Sequence, residues 1–415
     1  MENSHFQVVI IGAGPAGLSA ALHLAESGLT VALADREVFP REKVCGGGIS
    51  ELAIDALKRF PGNVFNDFVV AFEKSKINGV KFFFPLGYCI EIPQFIEPCK
   101  DLVSGYACER AEFDNFLLSQ LKKTGSVQIF EGSVLEQIKA LEDGYLLVFN
   151  NLTLSCNLLI GADGIHSVVG NQLLKNKKLE RLKGLGISLT FSGIKDLHPD
   201  NYLEFYFLRK ILPGYFWIFP YGNGKANVGL YLPEKLLRKK KINLKKEFTN
   251  IITRYPTVSN RFEGAVPLGQ PKAGGLPWGK LLRTVSGERF MLLGDAAGLV
   301  EPFTGEGIGT ALLSGEVAAN QARKCFEANN FSPLFMLRYD NVLYKQVGGN
   351  YLAGYRLMLM LRYSKLINFL FKRAIASDRM KDMDIHRLRK MGIQKKLTNP
   401  LFFLKLILRK HLKIM

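Results

Sequence analysis

Two glycine–aspartate constellations, at opposite ends of this chain, carry the residue types that hold a phosphate and a set of hydroxyls. The first is Gly12-Ala-Gly14-Pro-Ala16-Gly17, with Asp35 following at the end of the next apolar run. The glycines permit a tight turn and let backbone approach a pyrophosphate, and the carboxylate is placed to hold a ribose. The second is Gly294-Asp295, followed by Gly305, Gly307 and Gly309 ahead of a helical pattern from Thr310 to Ala322. Asp295 can accept hydrogen bonds from hydroxyls, while the helix start offers unpaired N–H groups and positive dipole charge. Together these suit a polyhydroxylated, partly anionic cofactor. A glycine-rich connection with a solvated aspartate is the plain alternative for the second constellation alone.

Three further stretches carry possible chemistry. Gly161-Ala-Asp163-Gly164 closes the apolar run from Leu158, and an aspartate between glycines at a strand end can brace a phosphate-binding loop or simply make a turn. Pro40-Arg-Glu-Lys-Val-Cys45-Gly46-Gly47-Gly48-Ile49 follows Arg36, and its three consecutive glycines let backbone lie flat against a ligand. A flexible loop with an inert thiol is the other reading there. Tyr202, Phe205, Tyr206, Phe207, Tyr215, Phe216, Trp217, Phe219 and Tyr221 crowd a short region that suits one wall of an apolar pocket, or an ordinary β core.

The elements that must position these residues are legible in the apolar periodicity. Gln7–Ile11 is a buried-strand pattern, Leu18–Ser27 a helix ended by Gly28, and Thr30–Asp35 a second strand. This strand–turn–helix–strand–acid order is that of a dinucleotide site. Strands are expected near Val80–Phe84 and Tyr88–Ile92 in a different sheet, then a helix from Arg110 to Lys123. Strands follow at Gln128–Phe130, Val134–Ile138, Tyr145–Phe149, Leu158–Gly161 and Phe290–Leu293. Between Gly184 and Gly274 the alternating, aromatic-rich texture reads as an antiparallel sheet, with Lys235–Lys246 a solvated helix or loop. The expected fold class is α/β.

Composition narrows the functions. A chain of 415 residues, 47% hydrophobic with 40 glycines, suits two or three domains with a large core. The six cysteines include no Cys-x-x-Cys pair and the six histidines do not cluster, so reduced thiols are expected and no metal site. Phe6–Ala25 is free of formal charge, yet no Lys or Arg precedes Arg36 and glycines interrupt the run, which argues against a signal peptide or a span. The net charge of +18 is concentrated at the end: residues 351–415 hold 16 Lys and Arg against 3 Asp and Glu, leaving +5 for the first 350 residues. That tail interleaves its charges with aliphatics, which suits an anionic membrane surface better than nucleic acid. After Pro400, Lys405, Arg409 and Lys413 would share a helical stripe beside an apolar face, with packing on the protein itself the alternative.

With these motifs in order, the chain resembles the FAD-dependent group that includes aromatic hydroxylases, and within it the geranylgeranyl reductase family. Pro40-x-x-Lys43-x-Cys45-Gly-Gly-Gly48 looks like that family's cysteine–glycine loop, and Tyr215-x-Trp217-x-Phe219-Pro220 like its substrate motif. The family follows the latter with Gly-x-Gly, where this chain has Gly229-Leu-Tyr231, so a larger side chain stands in the expected pocket. The resemblance covers about the first 325 residues. It implies FAD held by Gly12, Gly14, Ala16, Gly17, Asp35, Arg36, Arg110, Asp163, Gly294 and Asp295, with Gly305, Gly307 and Ile308 beside the flavin ring. It also implies substrate contacts at Tyr215, Trp217, Phe219, Pro220, Gly229 and Tyr231, and chemistry near Cys45, Gly46 and Gly47.

The resemblance further implies a Rossmann-like FAD-binding domain (1–60, 101–175 and 280–330) and an inserted antiparallel-sheet substrate domain (61–100 and 176–279), while the charge and apolar pattern of the tail reads as a basic amphipathic helical region (331–415). The expected reaction is hydrogenation of carbon–carbon double bonds in a prenyl lipid, prenyl diphosphate or prenylated quinone. NADPH or a reduced redox protein would supply the electrons, on the cytoplasmic face of a membrane. A flavin monooxygenase or halogenase and a quinone-linked electron carrier are the rival readings. Halogenases carry Trp-x-Trp-x-Ile-Pro where this chain has Tyr215-Phe-Trp217-Ile-Phe-Pro220.

Overall fold

The computed structural model describes residues 4–87, 89–93, 105–174, 182–278 and 284–361. Its first sheet is built from the runs that carry the glycine motifs. Strand Ser4–Ile11 lies at the centre, parallel to Val31–Ala34 on one side and to Thr153–Gly161 on the other. Val127–Phe130 and Phe290–Leu292 extend the parallel order outward. The central strands are buried on both faces, so they read as continuous apolar runs such as Val8–Ile11 and Leu158–Ile160. An antiparallel hairpin, Leu135–Leu141 and Gly144–Phe149, pairs with the first half of Thr153–Gly161.

Two helices cover one face through very close contact. Helix Pro15–Leu24 meets helix Ile308–Glu327 where an ideal Cβ on Gly315 would lie 2.5 Å from the Ala16 carbonyl oxygen and 2.6 Å from Ser19 Cβ. Only glycine permits that approach, and Ser19 Oγ uses it to donate to the Leu312 carbonyl at 2.6 Å. Ala16 is therefore spent on helix packing. Helix Val64–Val70, expected with the substrate domain, belongs instead to this first core. Val64 and Phe68 share one face at helical spacing, and Phe68 packs edge-on against Phe113 of helix Arg110–Thr124.

The second sheet runs in the order Val266–Pro267, Leu182–Ser192, Lys225–Pro233, Tyr215–Gly222, Leu203–Tyr206, Gly79–Phe83, Cys89–Pro93, with Lys272–Trp278 also on Leu182–Ser192. It is antiparallel but for one pair: Gly79–Phe83 lies parallel to Leu203–Tyr206. That pairing joins segments over a hundred residues apart, which no local periodicity reports. One face packs Phe216, Ile218, Val228 and Leu230 under helices Glu234–Lys240 and Leu244–Arg254. The other face carries Tyr215, Trp217, Phe219 and Tyr231.

Helix Pro333–Leu361 packs one face on the first core and leaves the other to solvent. Met336, Tyr339, Leu343, Val347 and Tyr351 recur at three- and four-residue spacing and are buried. Tyr339 Oη donates to the Leu292 carbonyl at 2.8 Å and Tyr351 Oη to that of Gly298 at 3.2 Å. Its last turns bring Met358 and Leu359 against the aromatic face of the second sheet. The basic stripe of 401–415 lies outside the described residues. Among the described residues no helix is long and apolar enough to cross a membrane.

His23, in the last turn of helix Pro15–Leu24, makes acid a specific threat to this fold. Its ring leans on Phe60, and its Nε2 is buried without a hydrogen-bond partner. Burial first, then the charges of Arg323 and Arg59, push its pKa down to about 4. A folded-state pKa below the unfolded value means the unfolded chain binds the proton better. The stability this residue contributes is thus complete above about pH 6.5 and is lost as pH falls towards the folded value. Replacing His23 with Gln should reduce the stability lost between pH 7 and 4.5 by on the order of 2 kcal/mol. Chemical denaturation of both proteins at the two pH values measures this, and an identical acid sensitivity would exclude it.

Candidate active site

The cofactor loops meet at the carboxyl ends of the parallel strands. Gly12 N–H donates to the Ala34 carbonyl at 2.7 Å, Ala162 N–H to that of Ile11 at 2.7 Å, and Leu293 N–H to that of Gly161 at 2.8 Å. Gly12 has φ +102° and an ideal Cβ there would sit 2.7 Å from the Ala162 carbonyl carbon. A Cβ on Gly17 would collide with the Gly12 carbonyl. Both glycines are thus required by the protein's own packing. Gly14 differs: its Cβ would meet only the Arg41 guanidinium, at 3.5 Å. It caps helix Pro15–Leu24 with no side-chain partner, so the first N–H groups of the helix face outward beside Arg41.

The charges around this opening favour an anion. Asp35 is buried and accepts from Ala13 N–H at 2.6 Å and Glu37 N–H at 2.8 Å, which fixes its carboxylate at the strand end. Arg36 beside it pairs with Glu37 in solvent. Arg110 forms a buried bidentate pair with Asp114, at 3.0 and 2.7 Å. Arg41 shares that carboxylate at 3.2 Å. Two guanidiniums around one carboxylate leave a net positive charge at the mouth of the Gly14 turn, which is the complement of a diphosphate. Asp163 braces the adjoining loop through Val168 and Val169 N–H at 2.6 and 3.1 Å, and its buried Oδ1 has no hydrogen-bond partner among the described residues. Burial raises its pKa, so a hydroxyl or water of a bound group is the partner this oxygen calls for.

At the other end of the opening, Asp295 pairs with Lys43 at 3.0 Å. Gly294, at φ +50°, starts the short helix that carries Asp295, and its N–H donates to Ser314 Oγ at 3.1 Å. Helix Ile308–Glu327 begins at Ile308 after Gly307, with no side-chain cap on its first N–H groups. Gly305, at φ +74°, makes the turn before it. These features together fit FAD: a glycine turn with surplus arginine charge for the diphosphate, carboxylates for two sugar-like segments, and an uncapped helix end for the ring.

The cysteine–glycine loop and the aromatic strand meet at this same end. A Cβ on Gly46 would lie 2.7 Å from the Phe219 ring and 3.1 Å from Trp217 Nε1. Gly47, at φ +69°, would collide with the Cys108 carbonyl, and Tyr221 Oη donates to the Gly46 carbonyl at 3.2 Å. Cys45 lies in hydrogen-bonding reach of Arg110, and its Sγ accepts from Gly47 N–H at 3.4 Å. Tyr215 Oη donates to the Thr304 carbonyl at 2.7 Å, tying the aromatic strand to the segment that precedes helix Ile308–Glu327. Trp217 lies flat on Gly229 and donates to Asn227 Oδ1 at 2.9 Å. Tyr231 covers Gly184 and packs on Tyr215 with ring centroids 5.5 Å apart. Pro220 continues the strand opposite Ala226. These side chains pack with Phe205, Phe207, Phe303 and Met358 into one buried aromatic cluster.

Sequence reasoning passed over Arg41, which is an unspecified position of the Pro40–Gly48 motif; its signal is a second basic residue following the Asp35 carboxylate. It also passed over two acids. Glu301 is buried, accepting from Phe303 and Thr304 N–H at 3.0 and 2.7 Å. Glu306 accepts a short hydrogen bond from Ser50 Oγ. Burial pushes the Glu306 pKa up to about 7, with Glu301 adding to the rise and Ser50 opposing it. Neither acid shows a spacing signature, since both owe their character to burial.

A parallel dinucleotide fold with these loops, joined to a second sheet whose aromatic face closes on the cofactor end, defines a flavin-dependent oxidoreductase. Comparison with known proteins narrows this. Residues 187–262 match the model of the geranylgeranyl reductase catalytic domain, and residues 6–81 that of the pyridine nucleotide-disulphide oxidoreductases. A menaquinone reductase of Mycolicibacterium smegmatis is 32% identical over 329 residues, 76% of each chain. A digeranylgeranylglycerophospholipid reductase of Thermoplasma acidophilum is 30% identical over 353 residues, 81% of this chain and 83% of that one. Among solved structures, a geranylgeranyl bacteriochlorophyll reductase-like protein of Thermoplasma acidophilum superposes with a TM-score of 0.75 at 22% identity, covering 99% and 98% of the two chains. The flavin-dependent brominase Bmp2 shares the fold at a TM-score of 0.72 and 19% identity, over 92% and 93%. The chain belongs to the geranylgeranyl reductase family, and it is an FAD-dependent oxidoreductase of that type.

The differing roles of the glycines give a test of the cofactor site. Gly14→Val should fold with wild-type circular dichroism yet bind FAD at least about tenfold more weakly, a loss of ~1.4 kcal/mol. Gly12→Ala should fail to fold, because its Cβ meets the backbone. Flavin absorbance of the purified proteins reads the result, and full occupancy in the Gly14 variant would show that no ligand passes there.

Proposed function

We propose that this enzyme hydrogenates carbon–carbon double bonds in the prenyl chain of a lipid or a prenylated quinone. The observation that carries this is the junction at Gly46, where the cysteine–glycine loop touches Phe219 and Trp217 while Tyr215 is bonded to the loop beside the flavin position. Relatives named for a menaquinone and for a digeranylgeranylglycerophospholipid support two substrate classes that share only their isoprenoid chain. FAD, when bound, supplies the hydride. The residues of this chain do the rest: the Gly14 turn with Arg41 and Arg110 holds the diphosphate, Asp35 and Asp295 hold hydroxyls, and Tyr215, Trp217, Phe219 and Tyr231 exclude water from the alkene. An unactivated double bond has no polar handle, so orientation in a dry aromatic slot must supply much of the rate. NADPH or a reduced redox protein loads the electrons. Cys45 and the backbone of Gly46 and Gly47 border the reacting chain.

The product distinguishes this from the oxygenating flavoenzymes that share the fold. Lipid extracts of cells with and without the gene should differ by the mass of two hydrogens per reduced bond. A gain of one oxygen, or a halogen isotope pattern, would overturn the reading.

The basic end of the chain supports docking on the inner face of a membrane, where such substrates reside. Residues 351–415 hold a charge of +13, and each Lys or Arg near an anionic surface contributes about 1 kcal/mol. The full-length protein should float with anionic vesicles at low salt and less at high salt, while a chain ending at Asn399 floats poorly. Indifference of the full-length chain to anionic vesicles would exclude membrane docking by this route.

A further inference from the structure

The segment from Glu301 to helix Ile308–Glu327 carries two acids, Glu301 and Glu306. Glu306 is the acid that links it to the rest of the site. Its carboxylate takes the hydroxyl hydrogen of Ser50, the residue directly after strand Gly48–Ile49 at the end of the cysteine–glycine loop. Its Oε1 also lies over Gly309, where an ideal Cβ would be 2.7 Å away, and so stands at the uncapped start of helix Ile308–Glu327. Its backbone is fixed as well: its carbonyl accepts from Glu301 N–H at 2.7 Å, and its own N–H donates to Thr304 Oγ1 at 3.3 Å. One carboxyl group thus joins the two loops that flank the flavin position.

We infer that Glu306, acting through Ser50, is the resident proton site of this enzyme, binding a proton when electrons reach the flavin and releasing it when a double bond is saturated. This rests on the reading that FAD lies against the Pro302–Gly309 segment. The balance of the step requires a proton besides the hydride. Saturation forms two C–H bonds: one from a hydride, which brings the electron pair from the cofactor, and one from a proton. On release the Glu306 O–H bond breaks and its proton leaves through the Ser50 hydroxyl towards the Cys45–Gly48 loop. The carboxylate regains a proton from water when the nicotinamide or redox-protein donor next supplies two electrons. Glu306 is a positioning residue for this proton.

The surroundings make the site responsive. The groups that act on Glu306 are Glu301 from its own segment, Ser50 from the neighbouring loop, and the N–H groups of helix Ile308–Glu327, whose first two turns carry no charged side chain. Glu51 next to Ser50 is exposed to solvent, and Lys43 on the cofactor side is engaged with Asp295. Burial has already brought the carboxyl to about 7. Negative charge added nearby raises a carboxyl pKa further, so loading electrons draws a proton onto it at mildly alkaline pH.

The test uses the flavin-loaded protein and needs no substrate. Wild type, Glu306→Gln and Ser50→Ala are reduced anaerobically with dithionite in weakly buffered solution, and proton uptake is followed with an indicator across roughly pH 6–9. Wild type should take up as much as about one proton more per flavin than Glu306→Gln near pH 8. In Ser50→Ala the extra uptake should move to higher pH, because the donor that favours the carboxylate is gone. Isotope-edited infrared spectra should show a protonated carboxyl growing on reduction in wild type and missing from Glu306→Gln. Equal uptake in wild type and Glu306→Gln, with flavin bound to both, would overturn the inference and leave the hydrogenation reading intact. Should Glu306→Gln not hold its flavin, an uptake profile in Ser50→Ala identical to wild type overturns it instead. A wild-type chain that carries no flavin overturns both readings.

Discussion

The structure depends on how closely its backbones approach one another at the carboxyl ends of the parallel strands. Gly12, Ala162 and Leu293 are each bonded by their N–H groups to the adjacent strand, so three loops far apart in sequence share one plane of hydrogen bonds. The same closeness continues behind them, where Gly315 lets helix Ile308–Glu327 rest on the backbone of helix Pro15–Leu24. Side chains at these points would separate the loops by ångströms, and a cofactor that must touch all three would lose its contacts at once. The surface at this edge is therefore made largely by backbone, and Asp35, Asp163 and Asp295 are carried to it by fixed turns. Open α/β sheets place ligands at this edge for that reason.

The second sheet answers a different requirement. A prenyl chain presents no hydrogen-bonding groups along its length, so it is recognised by apolar area and shape, which discriminate by only a few kcal/mol per contact. On the proposed function Tyr215, Trp217, Phe219 and Tyr231 supply that area, each braced by a partner: Thr304, Asn227, Phe205 and Gly184 respectively. Because Gly184 and Gly229 lie beneath the Tyr231 and Trp217 rings, the rings lie flat on the sheet. A flat wall suits an extended chain better than a compact ring system.

Much of this was readable in the residues because it is local. Glycine at a fixed turn, an acid closing a strand and an apolar run of strand length are each governed by their immediate neighbours, so Gly12–Gly17, Asp35 and Phe290–Asp295 announced themselves. The remainder is set by distant partners. The parallel pairing of Gly79–Phe83 with Leu203–Tyr206 and the burial of helix Pro333–Leu361 are decided by what each segment meets after folding. Arg41 acquires meaning only because Asp114, already engaged with Arg110, accepts it as well. Glu306 looks like any surface acid in the sequence, and only its enclosure against Ser50 and Gly309 makes it a group that titrates near neutrality.

One contact ties the far end of the chain to its chemical centre. The backbone of Gly354, in the C-terminal helix, rests against the Glu301 carboxylate, where an added Cβ would lie 2.7 Å from Cδ. That carboxylate in turn anchors the N–H groups of Phe303 and Thr304. Thermodynamic linkage runs equally in both directions through such a contact. Any surface that displaces this helix by gripping the chain beyond residue 361 would alter cofactor affinity by some factor, and cofactor binding would alter the grip on that surface by the same factor. The enzyme's address in the cell and its readiness to react would then be two readings of a single equilibrium.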